Sequence, residues 1–173
     1  MHQPLSNLVV RPLARSDLPA ALAIQAECYP AFLREDAAAF ATRLSIAASY
    51  CLGAFRGDVL IAYLLAHGWA REAPPAVGTL LPPAAAQDVL FVHDLAVSGS
   101  GRGSGVGRDL VERAVQQAAQ DGICTAELIA VEGAAPFWRH LGFVEAATSP
   151  ALAAKVARYG ADARWMRREI GVG

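Results

Sequence analysis

The chain has 173 residues, 54% of them hydrophobic, and a formal net charge of −1. That length suits one domain with a core of its own, so a single domain over residues 1–173 is the expectation. The near-neutral balance gives no electrostatic case for binding nucleic acid or an anionic membrane.

In chain order, Leu8 to Leu13 reads as a first strand. Arg15-Ser16-Asp17 reads as a turn with a helix cap, and Pro19 falls in the first helical turn, where its missing amide does no harm. Leu22, Ala23, Ile24 and Ala26 continue that helix towards Tyr29-Pro30, where proline ends it. From Phe32 to Ala48, residues Leu33, Ala37, Phe40, Ala41, Leu44 and Ala48 recur at helical spacing and predict a second helix. Tyr50–Phe55 and Val59–Leu65 flank Arg56-Gly57-Asp58, a β-hairpin pattern. Trp69 to Gln87 carries Pro74-Pro75 and Pro82-Pro83 and predicts a long irregular connection, a kind of loop that is usually functional or mobile.

The next stretch organises the rest. Val89 to Val97 is almost continuously apolar, as expected for a strand buried on both faces. A turn with five glycines from Gly99 to Gly107 follows. Val106, Leu110, Ala114, Val115 and Ala118 then mark an amphipathic helix that stops at Asp121-Gly122. Cys124 to Val131 reads as a fifth strand and Glu132 to Pro136 opens a short helix that Gly142 must stop. Phe143 to Ala147 reads as a sixth strand, Ser149 to Arg158 as a helical crossover and Ala163 to Ile170 as a last strand. This order predicts a mixed α/β sheet rather than a doubly wound one.

No targeting or spanning segment is evident. The apolar run Val59 to Ala66 is far too short to cross a bilayer, and the first residues lack the basic start and apolar core of a signal peptide. Cys28, Cys51 and Cys124 are odd in number and widely spaced, with no Cys-x-x-Cys pair, which points to reduced thiols in a cytoplasmic protein.

A strand, a glycine turn and a helix make an anion site, because the first amides of a helix are unpaired and carry partial positive charge. The dinucleotide pattern Gly-x-Gly-x-x-Gly fails here: starting at Gly101 its third glycine falls on Val106, and starting at Gly103 on Arg108. The nucleoside-triphosphate loop fails too, since Lys155 is the only lysine in the chain. Arg102-Gly103-Ser104-Gly105-Val106-Gly107 is instead Arg-x-x-Gly-x-Gly. It resembles the acyl-CoA pyrophosphate loop of the GNAT superfamily, the CoA-dependent N-acyltransferases. Phe137-Trp138-Arg139-His140-Leu141-Gly142-Phe143 is similar to that family's Phe-aromatic-x-x-x-Gly-Phe segment, in the right order downstream.

The resemblance implies a mostly antiparallel central sheet of six to seven strands, splayed between the fourth and fifth, with helices on both faces. It implies acetyl-CoA as cofactor, CoA as product and transfer of the acetyl group to an amine of a small molecule or peptide in a ternary complex. It also leaves room for a homodimer. Arg102 and the amides of Gly103, Ser104, Gly105, Val106 and Gly107 would hold the diphosphate. Leu95, Ala96 and Val97 would run along the pantetheine arm, with an amide near Leu95 on the thioester oxygen. Phe137 and Trp138 would pack along the cofactor.

The acceptor amine must lose a proton, and with a pKa near ~10.4 it needs a base such as a histidine near ~6.5. His93 and Asp94 interrupt the apolar strand and are the candidate catalytic groups, each also readable as a satisfied structural polar residue. Adjacent strand residues point to opposite faces, so the two are not expected to act as one dyad. Tyr29 and Phe32 are the candidate acceptor-binding residues, while Glu27, Glu35 and Asp36 read better as solvated helix surface. The sequence departs from the family at Trp138, which stands where many members carry a tyrosine that protonates the leaving sulfur. Tyr29 or Tyr159 would have to take that part, or the thiolate would take its proton from water. The departure gives weight to a second reading, a non-catalytic acyl-CoA sensor.

Gly105→Glu places a bulky anion where the phosphates would lie. Calorimetric titration with acetyl-CoA is expected to lose its saturable heat, and unchanged affinity would remove the loop assignment.

Overall fold

A computed structural model describes residues 7–171. Seven strands form one sheet in the order β1-β2-β3-β4-β5-β7-β6. They are β1 (Leu8–Pro12), β2 (Leu52–Arg56), β3 (Val59–Trp69), β4 (Val89–Val97), β5 (Thr125–Ala130), β6 (Val144–Glu145) and β7 (Arg164–Glu169). Every neighbouring pair is antiparallel except β4 and β5. The five helices are α1 (Leu18–Cys28), α2 (Ala37–Ser45), α3 (Val106–Gln120), α4 (Ala135–His140) and α5 (Pro150–Ala157). Among the described residues, no helix is long and apolar enough to cross a membrane.

The helices divide between the two faces of the sheet, as the resemblance implied. On one face the apolar stripe of α3 (Val106, Leu110, Val111, Ala114) packs with Leu64, Leu90, Val92, Leu128 and Met166. Trp138 of α4 and Leu141, just after it, complete that layer. On the other face Ala21 and Ile24 of α1 and Phe40 of α2 cover Tyr63 and Leu65 of β3. Leu152 and Val156 of α5 cover Phe91 and Trp165 on the same side. The sheet is therefore buried on both faces along β3 and β4, which is why those strands read as nearly unbroken apolar runs.

Three boundaries differ from the periodic reading. The expected helix from Phe32 to Ala48 is broken. Ala31–Leu33 forms a single 3-10 turn, and α2 starts only at Ala37, where the Asp36 carboxylate accepts the Ala39 amide at 2.8 Å. That cap offers the backbone an alternative to continuing the helix through Asp36. β3 runs on to Trp69, so the irregular connection begins one residue later than predicted. The sixth strand shrinks to Val144–Glu145.

The expected splay is present. β4 pairs with β5 only at Leu90↔Ala126, Phe91↔Glu127 and Val92↔Leu128. On its other side β4 stays with β3 to the end, but with a bulge: Leu65 faces Asp94 and Ala66 faces Val92, so His93 is an extra residue. The bulge bends β4 away from β5 at the point where their pairing stops.

Phe143 follows the Gly142 stop of α4 and is fully buried, with its ring edge-on to Trp138 at 5.5 Å. Phe143→Ala is expected to cost about 3–5 kcal/mol by urea denaturation, the range for emptying a buried phenylalanine site. A loss below about 1 kcal/mol would show that this layer collapses without it.

Candidate active site

Two recesses meet along the unpaired part of β4. The first is an open groove of ≈ 430 Å³ at the start of α3. Gly103 and Gly105 have φ of 76° and 80°, a left-handed backbone that glycine adopts without strain. Gly105 is the N-cap of α3 and no side chain caps the helix, so its first amides stay open beside the exposed Arg102. Gly107 turns its bare α-carbon towards Leu95, Val97 and Phe137; an added Cβ would stand 3.4, 3.4 and 3.8 Å from them. No carboxylate lines this groove, whereas Arg102 and Arg108 both do. The first turn of α3 brings Arg108 to the rim, a residue not among the expected cofactor-binding ones.

The structure thus gathers Leu95, Val97, Arg102, Gly103, Gly105, Val106, Gly107 and Phe137 in one groove. Ser104 contributes to the turn itself, its hydroxyl donating to the Gly101 carbonyl. Ala96 faces the opposite side of the sheet, against the α1 layer. Phe137 is 39% exposed, but Trp138 is only 7% exposed and sits edge-on to both Phe137 and Phe143. Most of Trp138 is therefore core, with part of it reaching the neighbouring cleft.

That cleft, of ≈ 210 Å³, opens where β4 leaves β5. His93 and Asp94 both line it. The expectation that they face opposite sides of the sheet is corrected by the bulge. His93 meets Glu35 and Asp94 meets Tyr63, both on the α1–α2 side. Inserting one residue shifts the alternation by one, so two successive side chains share a face.

Glu35 also overturns its expected place on a solvated surface. It is 5% exposed, because the break before α2 turns it inward. Its Oε1 accepts from His93 Nε2 at 2.8 Å and from Arg43 Nη2 at 3.3 Å, and its Oε2 accepts the Gly78 amide. Its backbone is held as well, through paired bonds with the Gln25 side chain. Burial alone would raise the Glu35 carboxyl; the His93 hydrogen bond and the proximity of His93, Arg43 and the Gly78 amide outweigh it and hold the group below its ordinary value of 4.5. Neither Glu35 nor Arg43 was picked out from sequence. The available signal was Arg43 itself, a cation on the buried face of α2 beside Ala39 and Phe40.

The Glu35 bond sets the histidine's protons. A carboxylate only accepts, so Nε2 carries a hydrogen, and in the neutral ring Nδ1 is then the nitrogen with the lone pair. Nδ1 has no partner among the described residues. Behind His93 lies His67, fully buried and pushed down to about 3 by burial and by its neighbour His93, so it stays neutral. The Asp94 carboxyl is pushed up by burial, against the Tyr63 hydrogen bond. The Tyr63 hydroxyl donates to Asp94 Oδ2 at 2.6 Å, and the Tyr29 hydroxyl donates to the Leu95 carbonyl at 2.6 Å.

Of the two residues expected at the acceptor site, Tyr29 lines the cleft. Phe32 does not; it is 54% exposed, its ring standing over Gly160. The Tyr159 hydroxyl is committed to the Pro75 carbonyl. Glu27, at the surface, accepts the Gly99 amide at 2.7 Å and so braces the glycine turn from α1.

The profile of the acetyltransferase (GNAT) family matches residues 18–143. The chain belongs to that family. Several solved structures are similar to it in fold at low sequence identity. The ribosomal-protein-S18-alanine N-acetyltransferase from Escherichia coli is similar over 96% of both chains, with 18% identity and a TM-score of 0.70. The PaiA N-acetyltransferase from Thermoplasma acidophilum, solved with coenzyme A, is similar over 94% of this chain and 98% of its own, with 14% identity and a TM-score of 0.66. GphF, a GNAT-like decarboxylase solved with isobutyryl-CoA, is similar over 94% of this chain and all of its own, with 17% identity and a TM-score of 0.70. No curated protein matches the sequence.

Because the Glu35 carboxyl is held below 4.5, its pairing stabilises the fold above that pH and the stabilisation is lost as pH falls through the folded value. Glu35→Gln is expected to lose about 3 kcal/mol at pH 7, as for a broken buried pair. The gap to the parent protein should narrow below pH 4.5, read by urea denaturation across pH. A gap that stays constant down to pH 2 would contradict the assignment.

Proposed function

We propose that this protein moves an acyl group, acetyl in the first instance, from an acyl-CoA to a primary amine by direct attack in a ternary complex. The observation that carries this reading is the unpaired edge of β4 beyond Val92, with an anion groove at one end and the His93–Glu35 pair at the other. The groove offers open helix amides with Arg102 and Arg108 for a diphosphate. Gly107 leaves room for the pantetheine arm to lie against Leu95 and Val97. A backbone amide near Leu95 would stabilise the oxyanion that forms on the thioester carbon.

The chemistry then needs one base. The acceptor enters as an ammonium, with a pKa near ~10.4, and must give up a proton before its nitrogen can attack. His93 Nδ1 takes that proton, directly or through one water, while Glu35 fixes the ring and balances the imidazolium. The amine nitrogen bonds to the carbonyl carbon, the C–S bond breaks, and the second proton lost by that nitrogen passes to the thiolate, through Tyr29 or a water, so that sulfur leaves as the CoA thiol. Trp138 has no proton to give it. Tyr29, which burial beside Asp94 keeps protonated, is the phenol that touches the Leu95 edge. Trp138 favours the alternative of a non-catalytic acyl-CoA sensor; a polarised histidine facing the cleft favours an enzyme.

The test follows CoA thiol release from acetyl-CoA over a panel of amines, beside calorimetry of cofactor binding. Turnover is expected, and cofactor binding with no turnover on any amine would favour the sensor. His93→Ala is expected to lower kcat about 10²–10⁴-fold, the usual worth of a general base, with acetyl-CoA affinity unchanged. Full activity would return His93 to a structural role.

A further inference from the structure

We infer that the acceptor is a primary amine on a compact, uncharged, apolar body without a carboxylate or phosphate; this rests on the acyl-transfer reading above. The walls of the cleft beyond the β4–β5 opening are Leu33, Val77, Phe91, Ile129, Val131 and the ring of Tyr159. Leu33, Val77, Ile129 and Val131 are only half-buried, so apolar surface is left for a ligand to cover.

The polar groups of the cleft point the same way. Both Glu35 oxygens are occupied, by His93 and Arg43 on one and by Gly78 on the other. The Tyr159 hydroxyl is occupied by Pro75. Among the described residues no arginine or lysine lines the cleft: Arg43 is fully buried behind Glu35, and Arg34 is turned to the carbonyls of Tyr29 and Ala26. The remaining charges are Asp94, beside the proposed base, and Glu132. A carboxylate or phosphate on the acceptor would enter among Glu35, Asp94 and Glu132 with no cation to meet it, and an unpaired charge is costly to desolvate. The contrast with the cofactor groove, where two arginines and no carboxylate stand, is what assigns the anion to one recess and the apolar body to the other.

The size and walls of the recess favour a small molecule over a peptide. Its ≈ 210 Å³ also takes in Leu95, Val97 and Phe137, where the end of the pantetheine arm would lie, so only part of that volume is left for the acceptor. The connection from residue 70 to 88 borders it and is fastened down rather than loose. Gly78 donates to Glu35, Arg43 donates to the Thr79 carbonyl, Leu81 donates to Thr42 and Tyr159 donates to the Pro75 carbonyl.

The experiment compares matched acceptors with acetyl-CoA: 2-phenylethylamine against phenylalanine, and isoamylamine against leucine. Each pair differs mainly by the α-carboxylate. The expected kcat/KM is higher for the carboxylate-free amine by about 100-fold, the scale of leaving one charge unpaired in a pocket. Val77→Arg, which supplies the missing cation on the wall, is expected to narrow that ratio about tenfold. Equal use of each pair by the parent protein would overturn the inference, as would preferred use of a leucine-initiated pentapeptide. If acetyl-CoA binds and the apolar amines are not used, the acceptor class is wrong while the cofactor groove stands; if acetyl-CoA does not bind, the acyl-transfer reading itself fails.

Discussion

The rest of the site depends on a single extra residue in β4. Because His93 has no counterpart on β3, the strand bends there, its pairing with β5 ends at Val92, and the backbone from Asp94 to Val97 keeps one side open. An open strand edge inside a folded protein is a row of unmet hydrogen-bonding groups, and such groups are satisfied by something. The protein already meets part of that demand from α1: Tyr29 donates to the Leu95 carbonyl and Cys28 lies 3.3 Å from the Val97 carbonyl. The same bulge turns His93 and Asp94 onto one face. One local irregularity thus opens the gap between β4 and β5 and orients the groups beside it.

Burying ionisable groups next to that gap requires that they pair with one another. Glu35, Arg43 and His93 do so, and Asp94 accepts from the Tyr63 hydroxyl. The network reaches beyond the strand. Arg43 holds α2 to the 70–88 connection through the Thr79 carbonyl, and Glu35 holds the same connection through Gly78. The groups that shape the histidine therefore also anchor the long loop that walls the cleft. Such a network tolerates little change, since removing one member leaves another buried without a partner.

The distant fold relatives limit what architecture alone can say. One is an alanine N-acetyltransferase and another a decarboxylase, both at TM-scores of 0.70. The same fold thus serves different reactions, and the reaction must be argued from side chains at the β4–β5 opening.

The amino-acid sequence by itself determined the framework and the anion groove. Apolar periodicity placed nearly every strand and helix, and the five glycines before a helix marked the groove, because these signals are local: spacing sets which face is buried, and glycine supplies backbone angles that other residues avoid. Only tertiary structure decided the surroundings of His93. The bulge at His93 depends on the pairing of two distant strands, so strict alternation misplaced His93 against Asp94. Glu35 looked like helix surface because Phe32 to Ala48 carries helical spacing throughout; it is buried because the Asp36 cap restarts the helix and Arg43, eight residues on, meets it in space. A side chain's charge partners are fixed by where the chain returns, and periodicity along one segment carries no record of that.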